Sequence, residues 1–576
     1  RTQHRQEVTG RSGMGSSILA SALAVHGVVQ TTHGPVRGVA DSAPRRWLGI
    51  PFAAPPVKEL RWQSPQPPKA WTSPRDASEY AHNCLQSGDS IDMGWPQPRS
   101  TLSEDCLYLN VYAGPARAPL APVLFWVFGG GFLGGGGNET RLNGTWDAAL
   151  MNGELVVVTS NYRLGTFGFA ASEELSARET ALSGRRRGTG NYGILDQRAA
   201  LEWVRDNIRA FGGDPERVLL VGQSAGANSV SQHLVRPASW GLFTAAGMES
   251  GAFYDGKHTP TVSSLRPTWS TLIGAAGCAN ASDVVSCLVA LPADAILNTS
   301  VGDGSAVWQL PVVDGVDLLE PGVTLAAKGR LAPVPVFAGG TAEDISTFRT
   351  SCGSNCTRDD FVRAAIEFGF TTTEAHSLAA LYAHETPRPN QSSARQWEFA
   401  IKHAGADAWS NCAARRALRW ASAVNGARSY WYRWSYVPSG PNGASEAHHS
   451  VEQPFIFHVL RETAEQRAED GGMYYIAAGT AEESFSTTLV RAWTAMAARG
   501  DPNVQGELAW PTFGSNGSAL LIKGGGGAPP SFDTALDFMD AKCALFDSLF
   551  ERTPRQACTG CSVFSTAQPA SMVEVQ

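Results

Sequence analysis

Several short apolar runs stand out along the chain, and each is followed by turn-forming residues. They read "PVLFWVF" at 122–128, "LVVVTS" at 155–160, "RVLLVGQ" at 217–223 and "VPVFAGG" at 334–340. Successive positions are apolar in each run, so both faces of the predicted strand are buried. This pattern is typical of a central parallel or mixed sheet with helices on both faces, which is the α/β class.

A helix is predicted between two of these strands. The segment "DQRAALEWVRDNIRAFGG" begins at Asp196 and ends at the helix-stopping pair Gly212 and Gly213. Its apolar residues recur at helical spacing, at Ala199, Ala200, Trp203, Val204 and Ile208. Two further segments, "SGRRRGTG" at 183–190 and "KGGGGAPP" at 523–530, predict mobile surface loops.

Composition and charge argue against binding to nucleic acid and against a membrane span. The 576 residues are 43% hydrophobic and 17% charged, as in an ordinary globular protein. A net charge of -7 without a long basic run provides no electrostatic footprint for nucleic acid. The longest apolar stretch, which starts at Ala121, falls short of the roughly 20 residues of a membrane span.

The number of cysteines and the number of glycosylation sequons favour the secretory pathway. The chain has 10 Cys, an even number. Seven Asn-x-Ser/Thr sequons occur, at Asn138, Asn143, Asn280, Asn298, Asn355, Asn390 and Asn516. A short apolar segment from Met14 follows basic residues and could be part of a signal peptide. We therefore expect a secreted or lumenal glycoprotein with disulfide bonds.

The segment "VGQSAGANSV" at 221–230 contains the candidate nucleophile. Ser224 stands in a Gly-x-Ser-x-Gly pattern between a predicted strand and a predicted helix, which predicts a sharp, strained turn. Gly222 and Gly226 leave room for the neighbouring strand and helix, and the helix start offers the N–H of Ala225. A serine nucleophile also needs a base, an orienting carboxylate and donors for the oxyanion.

The glycine run "FGGGF" at 128–132 follows another predicted strand. It could turn the N–H groups of Gly130 and Gly131 toward an oxyanion, or it could be a flexible linker.

In its first 250 residues the sequence resembles type-B carboxylesterases, the cholinesterase-like family with the α/β-hydrolase fold. The matching stretches are "HGPVRGV" from His33, "WLGIPFAAPPVKELRWQSPQPPKAW" from Trp47, "SEDCLYLNVY" from Ser103, "FGGGF", "NYRLGTFGF" from Asn161 and "GNYGILDQRAALEWVRDNIRAFGGDPERVLLVGQSAGA" from Gly190. The resemblance is weaker but in register to about residue 550. It implies one catalytic domain at 28–550. Residues 1–27 contain the possible leader, and residues 551–576 lack periodicity, which predicts a loosely ordered tail.

The resemblance implies a complete catalytic set. Ser224 would be the nucleophile, and Gly130, Gly131 and Ala225 would form the oxyanion hole. In "GGTAEDISTF", Asp344 takes the place of the family's acidic residue, with Glu343 as the competitor. In "HHSVEQPFIF", alignment on the two Phe residues selects His449 as the base, with His448 as the off-by-one alternative. The order Ser, acid, His is that of α/β-hydrolases.

The resemblance also implies three disulfides. These are Cys84 with Cys106, Cys278 with Cys287, and Cys412 with Cys543. Cys352 and Cys356, and Cys558 and Cys561, lie outside that set; for the "CTGC" pair a local disulfide or free thiols are favoured over a zinc site.

The substrate is less well indicated. Trp95 lies near the position where cholinesterases bind a quaternary ammonium. Ser305, Val307 and Thr347 stand where acetylcholinesterases have aromatic residues, which predicts a wider pocket. Gln223 replaces the Glu that often precedes the nucleophile, so a negative charge that favours cations is missing.

The leading hypothesis is a serine esterase that cleaves small, neutral carboxylic esters through an acyl-enzyme, without metal or cofactor. The alternatives are a lipase or sterol esterase, a cholinesterase-like enzyme, and a non-catalytic adhesion protein of the neuroligin type. The sequence does not indicate an oligomeric state.

Overall fold

The computed structural model describes residues 27–39, 44–86, 101–253, 259–299, 310–344, 352, 355–385, 395–426, 428–438, 446–460, 476–525 and 527–552. Residues 1–26 of the predicted leader and most of the predicted tail lie outside these residues.

Fifteen strands are found in this part of the chain. They are β1 (Val28–Gln30), β2 (Pro35–Arg37), β3 (Arg45–Pro51), β4 (Arg75–Asp76), β5 (Asn83–Cys84), β6 (Leu102–Ser103), β7 (Tyr108–Ala113), β8 (Ala121–Val127), β9 (Val156–Ser160), β10 (Gly213–Gln223), β11 (Ala245–Glu249), β12 (Val336–Thr341), β13 (Ser429–Trp434), β14 (Ala519–Gly525) and β15 (Ala528–Ala535).

Sixteen α-helices accompany them in the same described ranges. They are α1 (Thr145–Met151), α2 (Gly165–Phe169), α3 (Glu173–Ser183), α4 (Tyr192–Asn207), α5 (Ala225–Leu234), α6 (Arg266–Ala275), α7 (Val284–Ala290), α8 (Ala293–Asn298), α9 (Gly322–Ala327), α10 (Arg358–Phe368), α11 (Thr372–Tyr382), α12 (Gln396–Ala406), α13 (Cys412–Asn425), α14 (Gln453–Ile456), α15 (Ala481–Arg499) and α16 (Asp540–Arg552).

Ten strands form one large mixed sheet in the order β15-β14-β13-β12-β11-β10-β8-β9-β7-β3. The seven from β14 to β9 in this order are parallel, and β7 and β15 pair antiparallel at the two sides. Small sheets β1-β2-β4 and β5-β6 lie apart from it. Because the carboxyl ends of parallel strands share one edge, residues just after β8, β10 and β12 meet there.

The apolar runs form the strands that their pattern predicts. All seven residues of β8 and the last six of β10 are buried. Helix α4 places ten buried residues, including Trp203 and Val204, against the sheet. It continues as a short 3-10 turn to Phe211, and Gly212 ends it at φ 97°. Each large apolar side chain buried in this way contributes about 1.5–3 kcal/mol relative to exposure.

A second apolar cluster lies under the helices α10, α11, α12 and α16. Phe361, Leu378, Tyr382 and Ile401 are at most 1% exposed within it. The Cys412–Cys543 disulfide is buried in the same cluster and ties α13 to α16. This helical group therefore has a small core of its own beside the sheet.

The predicted fold class is confirmed, but one predicted loop is wrong. Residues 523–525 complete β14, and the antiparallel β15 begins at Ala528, with Lys523 opposite Ser531. Gly524 and Gly525 adopt φ values of 125° and 106°, so the glycine run supplies the backbone of a hairpin. Of the other predicted loop, residues 183–186 are exposed at the end of α3 and just after it, whereas Thr189 and Gly190 are buried, so only part of this segment lies on the surface.

Four disulfides are present among the described residues. Three are the pairs implied by the resemblance, and the fourth joins Cys352 to Cys356, whose pairing the sequence left open. Cys558 and Cys561 lie outside the described residues. No helix in the described part of the chain is long and apolar enough to cross a membrane.

Candidate active site

Ser224 occupies the turn between β10 and α5. Its backbone has φ 59° and ψ -124°, a conformation that non-glycine residues rarely adopt. Its N–H donates to the carbonyl of Glu249 over 2.9 Å, and its carbonyl accepts from the N–H of Asn228 over 3.0 Å. Since both backbone groups are held, the strained turn is fixed by the surrounding structure.

The two glycines that flank this turn are required by close packing. A Cβ atom on Gly222 would lie 2.6 Å from the carbonyl oxygen of Val127, and one on Gly226 would lie 2.0 Å from the same atom. The steric reason predicted for Gly-x-Ser-x-Gly therefore applies to both positions.

The glycine run after β8 lies directly beside Ser224. A Cβ atom on Gly129 would be 3.0 Å from the Cβ of Ser224. Gly130 and Gly131 have φ values of 104° and 63°, and the carbonyl of Gly130 closes the turn by accepting from Leu133 and Gly134. The run is thus an ordered turn rather than a flexible linker.

The predicted oxyanion donors are free of backbone partners. Over the described residues, no backbone carbonyl accepts a hydrogen bond from the N–H groups of Gly130, Gly131 or Ala225. Ala225 is the first residue of α5, where the N–H has no partner inside the helix. These groups remain able to bind an anionic oxygen.

His449 and Asp344 are in contact. The imidazole Nδ1 lies 2.5 Å from Oδ1 of Asp344, and the Asp344 side chain is fully buried, whereas that of His449 is 18% exposed. Burial by itself raises the pKa of Asp344, but the charge and hydrogen bond of His449, with Ser410 and Ser250, bring this pKa below its usual value. Asp344 is therefore an ionised acceptor that fixes the hydrogen of His449 on Nδ1.

The other ring nitrogen of His449 faces Gln223. With the hydrogen on Nδ1, Nε2 accepts from the Gln223 amide, whose nitrogen lies 3.2 Å away. The Gln223 oxygen accepts from the amide of Gln453 over 3.0 Å, which sets this orientation. No hydrogen bond between Ser224 Oγ and His449 is found in this part of the structure, although the two residues flank the same edge of the sheet.

The neighbours of the predicted residues have different partners. Glu343 directs its carboxylate to His403, with 3.1 Å between Oε1 and Nε2, and to the N–H of Ala447. His448 is exposed and its Nδ1 donates to a backbone carbonyl. Glu343 and His448 are backbone bridge partners, but the side chains that the structure brings into contact are those of Asp344 and His449.

A buried acidic pair lies beneath the site, and sequence reasoning did not identify it. Burial raises the pKa of Glu452 to about 7. Burial, and then the charge of Glu452, raises the pKa of Glu249 well above its ordinary value. Ser250 donates to Glu452 over 3.3 Å, and Trp493 donates to Glu249 over 2.9 Å. The His-x-x-Glu spacing was the available signal for Glu452.

Comparison with known proteins shows the family. The model of the carboxylesterase family matches residues 26–526. This chain belongs to the carboxylesterase family. It is a serine ester hydrolase with the α/β-hydrolase fold, as the resemblance of its motifs predicted.

Two relatives of this carboxylesterase are esterases. It is 33% identical over 508 residues to a para-nitrobenzyl esterase of Bacillus subtilis, covering 86% of this chain and 94% of the relative. It is 32% identical over 506 residues to a fumonisin B1 esterase of Sphingopyxis macrogoltabida, covering 86% of each chain.

Two solved esterase structures superpose on this chain over most of its length. A PNB esterase superposes with a TM-score of 0.70 at 28% identity, covering 90% of this chain and 99% of the other. A Geobacillus stearothermophilus carboxylesterase gives the same TM-score and identity, covering 90% of this chain and 100% of the other.

Several predicted pocket residues lie outside the described part of the chain. These are Trp95, Ser305, Val307 and Thr347. The width of the acyl pocket and the ammonium site stay predictions. Among the described residues, no group of three His, Cys, Asp or Glu side chains is arranged to hold a metal ion.

Proposed function

We propose that this carboxylesterase hydrolyses neutral carboxylic esters through an acyl-enzyme on Ser224, with His449 as general base and acid and Asp344 as the residue that orients it. The observation that carries the proposal is the 2.5 Å contact between His449 and the buried, ionised Asp344, beside the strained turn of Ser224.

Acylation begins when Ser224 Oγ attacks the ester carbonyl carbon and its proton passes to Nε2 of His449. The imidazolium is stabilised by Asp344, and the oxyanion accepts hydrogen bonds from the N–H groups of Gly130, Gly131 and Ala225. Collapse breaks the bond to the alcohol oxygen, which leaves with the proton from His449. A water molecule activated by the same Nε2 then attacks the acyl carbon and releases the acid.

The Gln223 amide must give way during this cycle. In the free protein it donates to the lone pair of His449 Nε2, which is the pair that receives the Ser224 proton. An amide carries no charge, so exchange of its hydrogen bond for that of the serine hydroxyl costs little electrostatic energy. The absence of a carboxylate at 223 also supports neutral rather than cationic substrates.

The test is a panel of p-nitrophenyl esters from acetate to palmitate, with a p-nitrobenzyl ester and acetylthiocholine added. We expect turnover of short neutral esters, and a loss of about 10⁵-fold or more in kcat for Ser224→Ala. Asp344→Asn should lose about 10⁴-fold, because the amide favours the wrong tautomer of the histidine. Organophosphate labelling should modify one serine per chain in the wild type and none in Ser224→Ala.

Equal slow hydrolysis by wild type and Ser224→Ala would refute the assignment of the nucleophile. A marked preference for acetylthiocholine would instead refute the neutral-ester proposal, and a preference for palmitate would favour a lipase.

The secretory pathway is proposed as the compartment of this enzyme. Four disulfides support it, as do the exposed sequon residues Asn280, Asn298, Asn355 and Asn516. Enzymatic removal of N-glycans from the protein made in its own cells should reduce its apparent mass; an unchanged mass would count against this compartment.

A further inference from the structure

The residue before the proposed triad acid connects two segments of the site. The Glu343 side chain is 3% exposed and points away from His449. Its Oε2 accepts from the N–H of Ala447 over 2.8 Å, and its own N–H donates to the carbonyl of Ala447 over 3.1 Å. Glu343 therefore binds the end of β12 to the segment 446–449, two residues before the proposed catalytic histidine.

Glu343 is held in turn by a buried histidine on α12. His403 contacts Glu343 through Nε2 at 3.1 Å and Glu385 through Nδ1 at 2.8 Å. Because a carboxylate accepts at each ring nitrogen, both nitrogens carry hydrogen and the ring is an imidazolium. Burial lowers the pKa of His403, but the two carboxylates outweigh burial and raise this pKa to about 9. Lys542 of α16 pairs with Glu385 and balances the second carboxylate.

The preceding residue of α12 makes a second connection to the same segment. Lys402 Nζ lies 2.6 Å from Oε1 of Glu446 and 3.5 Å from Oε1 of Glu398 on its own helix. Helix α12 thus supports the two residues, Glu446 and Ala447, that lead to His449.

We propose that His403 is a positioning residue for catalysis: its imidazolium fixes the Glu343 carboxylate, which fixes Ala447 and so places the His449 ring against Asp344. This inference rests on the proposed role of His449. His403 touches no reacting atom, and it acts only through the two hydrogen bonds of Glu343.

Within the described ranges, charged side chains from several elements surround His403. They are Glu343 after β12, Glu385 after α11, Lys402 and Glu398 on α12, Asp407 after α12, Arg433 on β13, Glu446 before His449, and Lys542 on α16. Loss of the imidazolium proton would leave Glu343 and Glu385 with one fewer counter-charge in a buried site. The carboxylate at Glu343 would then compete for other donors, and the 446–449 segment would lose its anchor.

The decisive variant is His403→Phe, which keeps a buried ring and removes both hydrogen bonds. Tyr382→Phe is the matched control, because it removes one buried hydrogen bond, from Tyr382 to Asp407, in the same helical group without touching Glu343. Active sites are counted by organophosphate titration, and kcat and KM for p-nitrophenyl acetate are measured per titrated site from pH 6 to 10.

We expect His403→Phe to lower kcat by about 10- to 100-fold with KM changed less than about 3-fold, since a displacement of about 1 Å at a catalytic group costs that much. Wild type and Tyr382→Phe should lose kcat above about pH 9 as His403 deprotonates, whereas His403→Phe should lack this alkaline decline. His403→Gln, which can still donate to Glu343, should recover part of the kcat.

Wild-type kcat per titrated site in His403→Phe, or an alkaline decline that survives the substitution, would overturn the inference. A loss of kcat in His403→Phe equal to that in Tyr382→Phe would show a merely structural role for His403 and would also overturn the inference. Full activity of Ser224→Ala would instead overturn the proposed function, so the two failures are distinguishable.

Discussion

Glu452 lies three residues after His449, and its replacement by Gln tests the electrostatics beneath the site. The Glu452 carboxyl is buried, and burial raises its pKa to about 7 from an ordinary value of 4.5. Between about pH 4.5 and pH 7, Glu452 keeps its proton in the native state and loses it in the unfolded chain. The raised pKa therefore contributes stability that is complete below about pH 4.5 and is lost as pH rises through about 7.

The structure also sets the size of this effect. A pKa of about 7 against 4.5 corresponds to about 3 kcal/mol of unfolding free energy. Glu452→Gln keeps the shape of the neutral acid and cannot ionise. The variant should thus gain about 3 kcal/mol over the wild type as the pH increases from about 4.5 to 8, whatever its stability at the lower pH.

The assay is urea unfolding followed by tryptophan fluorescence at pH 4.5, 5.5, 6.5, 7.5 and 8.5. Glu173→Gln is the control, because the Glu173 side chain is 66% exposed and pairs with an exposed arginine. The difference between wild type and Glu452→Gln should change steadily with pH, and the difference for Glu173→Gln should not. Parallel stability curves for wild type and Glu452→Gln would refute the reasoning.

Three further outcomes follow from the site and its supports. Gln223→Glu should move the acid limb of the kcat/KM profile up by about one pH unit, because a carboxylate about 4 Å from the imidazolium stabilises its positive charge. The variant should also prefer acetylthiocholine over a neutral thioester more strongly than the wild type does. An unchanged pH profile would contradict this. Gly226→Ala should cost more than about 2 kcal/mol in urea unfolding, because its Cβ would lie 2.0 Å from a backbone carbonyl. Gly274→Ala is the control and should cost less, because no heavy atom lies within 4 Å of its added Cβ and its φ is not positive. Cys412→Ala should lower the unfolding free energy by about 4–5 kcal/mol, because its bridge closes the longest disulfide loop among those described; a loss no greater than that of Cys278→Ala would count against this.

The sequence predicted the local parts of this enzyme well, because those parts are encoded locally. The strand before Ser224, the helix after it and the two flanking glycines are contiguous, and their packing reasons hold in the structure. The choice between Glu343 and Asp344 is different, because two adjacent acids after a strand look alike until their partners are known. Their side chains diverge, one toward His403 and the other toward His449.

The supporting residues could not be found from the sequence. His403 lies about 60 residues from Glu343, and its charge depends on Glu385 and Lys542, which belong to other helices. A buried histidine in a helix is more often a satisfied core residue than a functional one. Only the tertiary arrangement separates the two cases. The prediction of a loop at "KGGGGAPP" was wrong for a related reason, since a glycine run fits a loop and a hairpin turn equally well.

The order of residues along this sheet has a consequence for the cell that makes the protein. Ser224 is synthesised about 225 residues before His449, which corresponds to roughly 10–45 s of translation at about 5–20 residues per second. During that interval the nascent chain contains the nucleophile turn and its glycine run without the base. With His449 as the proposed base, a chain that ends before residue 449 should not hydrolyse esters, so we expect hydrolysis to start only after most strands of the large sheet have been synthesised.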